Sequence, residues 1–128
     1  MTAKSARDRC LTRLSKICLA LPEAVREDKG RHAAFLVRKR IFAYYLNDHH
    51  GDGIVSVACK TFIGDNVALA AAHPERFYMP AYIGPRGWVA LRLDSDSVDW
   101  EEAADVVKGS YLQIAPRALA ARVKIESD

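Results

Sequence analysis

The chain predicts an α+β fold: an antiparallel sheet of about five strands with helices packed on one face. Three observations carry that expectation. Apolar residues recur at three- and four-residue steps at Ala6, Cys10, Leu14, Ile17, Cys18 and Leu21, and again at Trp100, Ala103, Ala104, Val107, Tyr111 and Ile114. Each set is the stripe of an amphipathic helix. Between them lie short runs that read as strands. The order of one helix, four strands, a short helix, a strand and two helices suits helices gathered on one side of an antiparallel sheet.

The first helix covers residues 5 to 20, with Arg9, Arg13 and Lys16 on its solvent side, and Leu21-Pro22 ends it. Strands are expected at 24–28, 33–38, 41–47 and 54–61. Arg38-Lys39-Arg40 is the tight connection of a hairpin, and the segment from Asp48 through His49, His50, Gly51 and Asp52 to Gly53 is a looser one. Gly64, Asp65 and Asn66 offer caps for a short helix over 67–72, which Pro74 stops. A stiff, aromatic-rich crossing follows, holding Phe77, Tyr78, Pro80, Tyr82, Gly84, Pro85 and Gly87. Strict alternation then marks a half-buried strand at 88–93. Asp99, with Glu102 three residues on, opens the long late helix in the manner of a capping box. Pro116 suits the first turn of a last helix from Arg117 to about Val123.

With 128 residues, the chain is expected to form a single domain over 1–128 and to close a core without staples. Half the residues are apolar and 27% are charged, the balance of a soluble globular protein. No signal-like segment and no apolar run of membrane-spanning length is visible, so a cytoplasmic protein without a membrane partner is expected. The three cysteines, Cys10, Cys18 and Cys59, include no Cys-x-x-Cys pair, and each sits in an apolar pattern; buried free thiols are the expected reading. The net charge of +3 does not by itself indicate nucleic acid. Its distribution is more informative, because cations crowd the first helix and the first hairpins while acids gather between Asp94 and Asp105.

Strand parity supplies the candidate surface. If Val55, Val57 and Cys59 face the helices, then Ile54, Ser56, Ala58 and Lys60 face the other way. Trp88, Ala90 and Arg92 do the same on the later strand. An open face bearing an indole and two cations, beside the Arg38-Lys39-Arg40 turn, suits phosphates and bases; the plainer reading of the same residues packs Trp88 under the Tyr82 crossing and leaves the cations solvating a sheet face. The candidate nucleic-acid contacts are therefore Arg38, Lys39, Arg40, Lys60, Trp88 and Arg92. The alternative is a small-molecule or protein-interaction cleft under the crossing, with His32, Phe77, Tyr82 and Trp88 as its residues.

Other constellations carry less. His49 and His50 between Asp48 and Asp52 lack a third ligand at a defined spacing, so no metal and no cofactor is expected. Ser110 and Cys59 have no sequence-local base, and no nucleophile-elbow or phosphate-loop pattern occurs. The expectation is a protein without catalysis.

Pro80-Ala81-Tyr82-Ile83-Gly84 followed by Gly87-Trp88-Val89 resembles the central motif of the MmcQ/YjbR-like family of small bacterial proteins. Leu21-Pro22-Glu23, His32, Phe35, Lys39, Phe42, Trp100 and Ser110-Tyr111 fit the same pattern in order, across roughly residues 10 to 112. Lys29-Gly30-Arg31 stands where such proteins often carry Trp-Gly. The resemblance implies a frataxin-like sandwich whose two hairpins are similar to the "double wing" of a phage transcription activator. It thereby implies DNA as the partner. A monomer is the favoured expectation for the chain. Frataxin-like iron binding is not expected, because the first helix is basic where frataxins are acidic.

Overall fold

A computed structural model describes residues 3–48, 51, 53–94 and 97–127, with side chains over 9–48, 51, 53–94 and 97–123. Helix α1 (Ala3–Leu19) leads into β1 (Val25–Lys29), β2 (His32–Val37), β3 (Arg40–Asn47) and β4 (Val55–Lys60). Helix α2 (Asp65–Ala72) precedes β5 (Phe77–Tyr78), a 3₁₀ turn (Gly84–Arg86) and β6 (Trp88–Arg92). Helices α3 (Trp100–Ile114) and α4 (Arg117–Ser127) complete the order. Among the described residues the strands form one antiparallel sheet in the order β1-β2-β3-β4-β6-β5. The α+β class expected from the sequence is what the chain adopts.

The sheet has six strands rather than five because the start of the crossing is itself a strand. Phe77 pairs with Leu91 and Tyr78 with Ala90, so the two aromatics add a short edge to β6. A two-residue strand carries too little periodicity to be read from sequence. The opposite edge, β1, is exposed throughout. Its charged run Arg26-Glu27-Asp28-Lys29 is the kind that discourages edge-to-edge pairing.

Helix α3 packs on β3 and β4, α1 packs on α3, and α2 packs on β5 and β6. The core lies between these helices and the sheet face bearing Phe35, Ala43, Tyr45, Val57, Cys59, Val89 and Leu91. One irregularity sets its shape. Phe35 opposes Ala43 but Leu36 opposes Ile41, so β3 carries one extra residue, Phe42. Such a bulge lets neighbouring residues share a face. Phe42 thus turns into the core beside Ala43, and its ring meets Tyr111 of α3 edge-on at 5.3 Å. Edge-to-face pairs of this kind contribute about 0.5–1.5 kcal/mol beyond burial.

The caps also depart from a plain reading. Asp99 does cap α3, accepting from the N–H groups of Glu101 and Glu102. The Glu102 carboxylate, however, takes Arg76 in a two-pronged pair at 2.9 and 3.1 Å rather than turning back to the cap. Helix α2 begins at Asp65 without a side-chain cap. Asn66 is instead buried in its first turn, where its Nδ2 donates to the carbonyls of Gly84 (2.7 Å) and Trp88 (3.0 Å). Asn66 thereby fastens α2 to both ends of the 3₁₀ turn.

Gly87 ends that turn at φ 97°, and a Cβ there would sit 2.7 Å from the Thr61 carbonyl. Its own carbonyl accepts the Thr61 N–H at 2.7 Å. Only glycine permits this approach without strain, and the approach is what starts β6 beside β4.

Candidate nucleic-acid interface

The register fixes the second sheet face. Ser56 pairs with Arg92, Ala58 with Ala90 and Lys60 with Trp88, so all six share it. Across the strands one row reads Ala34, Tyr44, Ala58, Ala90 and Tyr78. Cys59, on the opposite face, pairs with Ala43 and Val89 and is fully buried in the core. The parity drawn from the sequence therefore matches the pairing.

The expectation that this face is open needs correction. Ser56, Ala58 and Ala90 are completely buried and Trp88 is only 8% exposed. The small side chains leave room above the sheet, and the crossing over 79–86 lies down on it. Tyr78 Oη meets Ser56 Oγ at 2.8 Å, and the Trp88 ring tilts against Tyr44 at 5.4 Å. Trp88 is consequently a packed wall, without the free ring face that stacking on a base requires.

Among the described residues, two cavities lie between sheet and crossing, and they share Tyr44 and Ile83 as walls. The first, of about 430 Å³, is lined by Lys39, Arg40, Ile41, Tyr44, Lys60, Ile83, Arg86, Trp88 and Ile114. Among the described residues, its walls hold four cations and no carboxylate. Local backbone geometry puts them there. Arg38 and Lys39 form a two-residue hairpin turn with φ of 49° and 68°, the left-handed pair that a tight hairpin requires. This throws Lys39 over the sheet end. Arg40 Nη1 donates to the Ile114 carbonyl at 3.3 Å, at the C-terminal end of α3 where a cation is favoured. Lys60 Nζ donates to the Arg86 carbonyl at 2.9 Å, drawing strand and crossing together.

The other two predicted cations are diverted. Arg38 makes a two-pronged pair with Glu23 at 2.6 and 2.8 Å. The hydrogen bond from Arg38 holds the Glu23 carboxyl below the usual carboxylate range. Arg92 grips Asp94 at 3.2 and 3.3 Å. Lys39, Arg40, Lys60 and Trp88 are thus brought together, while Arg38 and Arg92 stand aside with acids. Arg86 was missed: it sits in a 3₁₀ turn beyond Pro85, where no periodicity assigns a side chain to a face.

The second cavity, of about 270 Å³, is lined by Lys29, His32, Tyr44, Leu46, Pro80, Ala81, Tyr82 and Ile83. His32 and Tyr82 of the predicted cleft are here. Phe77 is not, because it points into the core at 2% exposure opposite Leu91, and Trp88 belongs to the basic cavity. His32 Nδ1 accepts the Asn47 N–H at 3.1 Å, which places the proton of a neutral ring on Nε2. Tyr82 is 81% exposed and holds a left-handed φ of 68°, unusual for an aromatic residue.

Among the described residues, no three His, Cys, Asp or Glu side chains converge as a metal would need. His49, His50 and Asp52 lie outside the described residues. Asp48 Oδ1 accepts the Gly53 N–H at 2.6 Å and so helps close its own loop. Ser110 is no nucleophile in waiting, since its hydroxyl bonds the backbone of two strands. No described helix is long and apolar enough to cross a membrane.

Comparison with known proteins agrees with this architecture. The model of the YjbR family matches residues 19–113, from the end of α1 through nearly all of α3. A crystal structure of Deinococcus radiodurans protein DR2400, described as a DUF419 domain, superposes with a TM-score of 0.65 at 23% identity. The superposition covers 80% of this chain and 76% of that one, a likeness of fold. Among curated proteins no match is found. With the family pattern running through the sheet, the crossing and the late helix, the chain belongs to the YjbR family.

Proposed function

We propose that this chain is a monomeric, cytoplasmic DNA-binding protein of the MmcQ/YjbR type that works without catalysis. Its hairpins act in the manner of a double wing, and the basic cavity beside the Arg38-Lys39 turn holds backbone phosphates. One observation carries the reading: Lys39, Arg40, Lys60 and Arg86 surround a single cavity whose walls, among the described residues, hold no acid. Uncompensated like charges brought together in a recess raise the local potential, which attracts polyanions and condensed phosphate.

The test is binding of a fluorescent DNA at rising salt. Four phosphate contacts on duplex DNA would give a log–log slope of about −3 to −4. Lys39→Glu combined with Arg86→Glu should abolish binding, whereas Lys108→Glu on α3 should leave it nearly intact. Failure of both duplex and single-stranded DNA to bind at low salt would falsify the proposal.

A second reading is favoured by the 270 Å³ cavity, whose walls are mostly apolar. Under it the chain is a small-molecule or protein-interaction module. Ligand entry would perturb the Tyr44–Trp88 ring pair, so a metabolite panel read by Trp fluorescence separates the two. The Lys39/Arg86 charge reversal should leave that signal unchanged.

A further inference from the structure

The two cavities are neighbours with complementary chemistry. One is ringed by cations, the other is walled by Pro80, Tyr82, Ile83, Tyr44 and Leu46, and Tyr44 and Ile83 belong to both. An occupant that spans them must be anionic at one end and flat and apolar, with a polar edge, at the other. A nucleotide within a strand has this form, with its phosphate and base joined through a sugar. We propose that the cleft seats one unstacked nucleotide, and that single-stranded DNA is the preferred ligand. This rests on the DNA-binding reading above and goes beyond it in assigning strandedness.

The reason is steric. In a duplex each base is stacked and paired, so no base reaches a chamber that lies beneath the crossing unless it is first extruded. A single strand offers its bases without that cost, and base–aromatic stacking is tolerant of sequence. The covered Trp88 leaves Tyr82 as the accessible ring: it is the aromatic most exposed to solvent here and lies on the chamber's outer side. Its left-handed backbone comes just before the 3₁₀ turn that Asn66 clamps through Gly84. Lys29 and the His32 ring complete the far wall, and the Lys29 ammonium is a hydrogen-bond donor for the carbonyl edge of a base.

The test compares a labelled oligothymidine with a duplex of the same length, at low salt, for the full chain and three variants. The wild type should bind the single strand at least about tenfold more tightly, the scale of one stacked base. Tyr82→Asn keeps a residue suited to the left-handed backbone and removes the ring. It should erase most of that preference without weakening the duplex, and Tyr82→Phe should retain it. Lys39→Glu should weaken both ligands together. Equal or tighter duplex binding, or a preference unchanged in Tyr82→Asn, overturns the single-strand assignment while DNA binding stands. Absence of binding to either ligand overturns both.

Discussion

The Ser110 hydroxyl on α3 donates to the Phe42 carbonyl at 2.6 Å and accepts the Lys60 N–H at 2.9 Å. It joins β3 and β4 one residue past Ala43 and Cys59, where their paired ladder stops. One buried oxygen thus satisfies two strands and sets the end of β4 from which Lys60 reaches the basic cavity. Ser110→Ala should leave a buried carbonyl and a partly buried N–H without partners. The expected loss is about 2–6 kcal/mol, from roughly 1–3 for each of the two unsatisfied groups, and urea unfolding measures it.

Asn66 offers a sharper probe of the crossing. Asn66→Asp conserves shape but replaces two donors with acceptor oxygens facing the Gly84 and Trp88 carbonyls. A buried carboxylate set against carbonyls is unfavourable, so destabilisation of about 3 kcal/mol or more is expected. Trp fluorescence should report the loosened crossing before global unfolding. A variant as stable as the wild type would show that α2 does not hold that segment.

Glu23 restrains the cation at the hairpin tip. In Glu23→Gln the Arg38 guanidinium loses its two-pronged carboxylate and becomes available beside Lys39. Nucleic-acid affinity should rise and the salt dependence steepen by about one unit of log–log slope. Lower affinity in this variant would mean that the pair positions the turn rather than silencing it.

The thiols predict an alkaline limit to stability. Cys10, Cys18 and Cys59 are free. Burial pushes the Cys18 thiol far up, and burial followed by the charge of Cys18 does the same for Cys59. An unfolded thiol ionises near about 8.5. Below that pH both states stay protonated and the full stability is present. Above it only the unfolded chain loses the proton, so stability falls with rising pH by about 1.4 kcal/mol per unit for each thiol. Between pH 8 and 10 the unfolding free energy of the wild type should fall more steeply than that of Cys18→Ala, by about 1.4 kcal/mol per pH unit, which denaturant titrations at each pH measure.

The elements were legible wherever periodicity was long. Both amphipathic helices with a clear stripe, the four-strand run and the 88–93 strand follow from apolar spacing, and Asp99 was recognisable as a cap. Asn66 has the look of a cap in the sequence but is a buried clamp, because only the folded crossing supplies the carbonyls it meets. Phe42, two residues before Tyr44, would share its face by alternation, and nothing local announces the bulge that turns it inward. Of the candidate cations, Lys39, Arg40 and Lys60 were within reach of strand parity and turn reasoning. Arg86 was not, and neither were the acids that occupy Arg38 and Arg92.

What the sequence determined by itself was the inventory of amphipathic segments and which residues alternate together, because burial of apolar surface acts on every short stretch through its own period. Which face stays accessible was a decision of the tertiary structure. The 79–86 crossing has no period of its own; it settles on the sheet because Ala58 and Ala90 are small and because Asn66, Gly87 and Lys60 fasten it from three sides. An expected flat platform became a two-chambered cleft by that single act of packing, since contacts between residues distant in sequence leave no local trace in the chain.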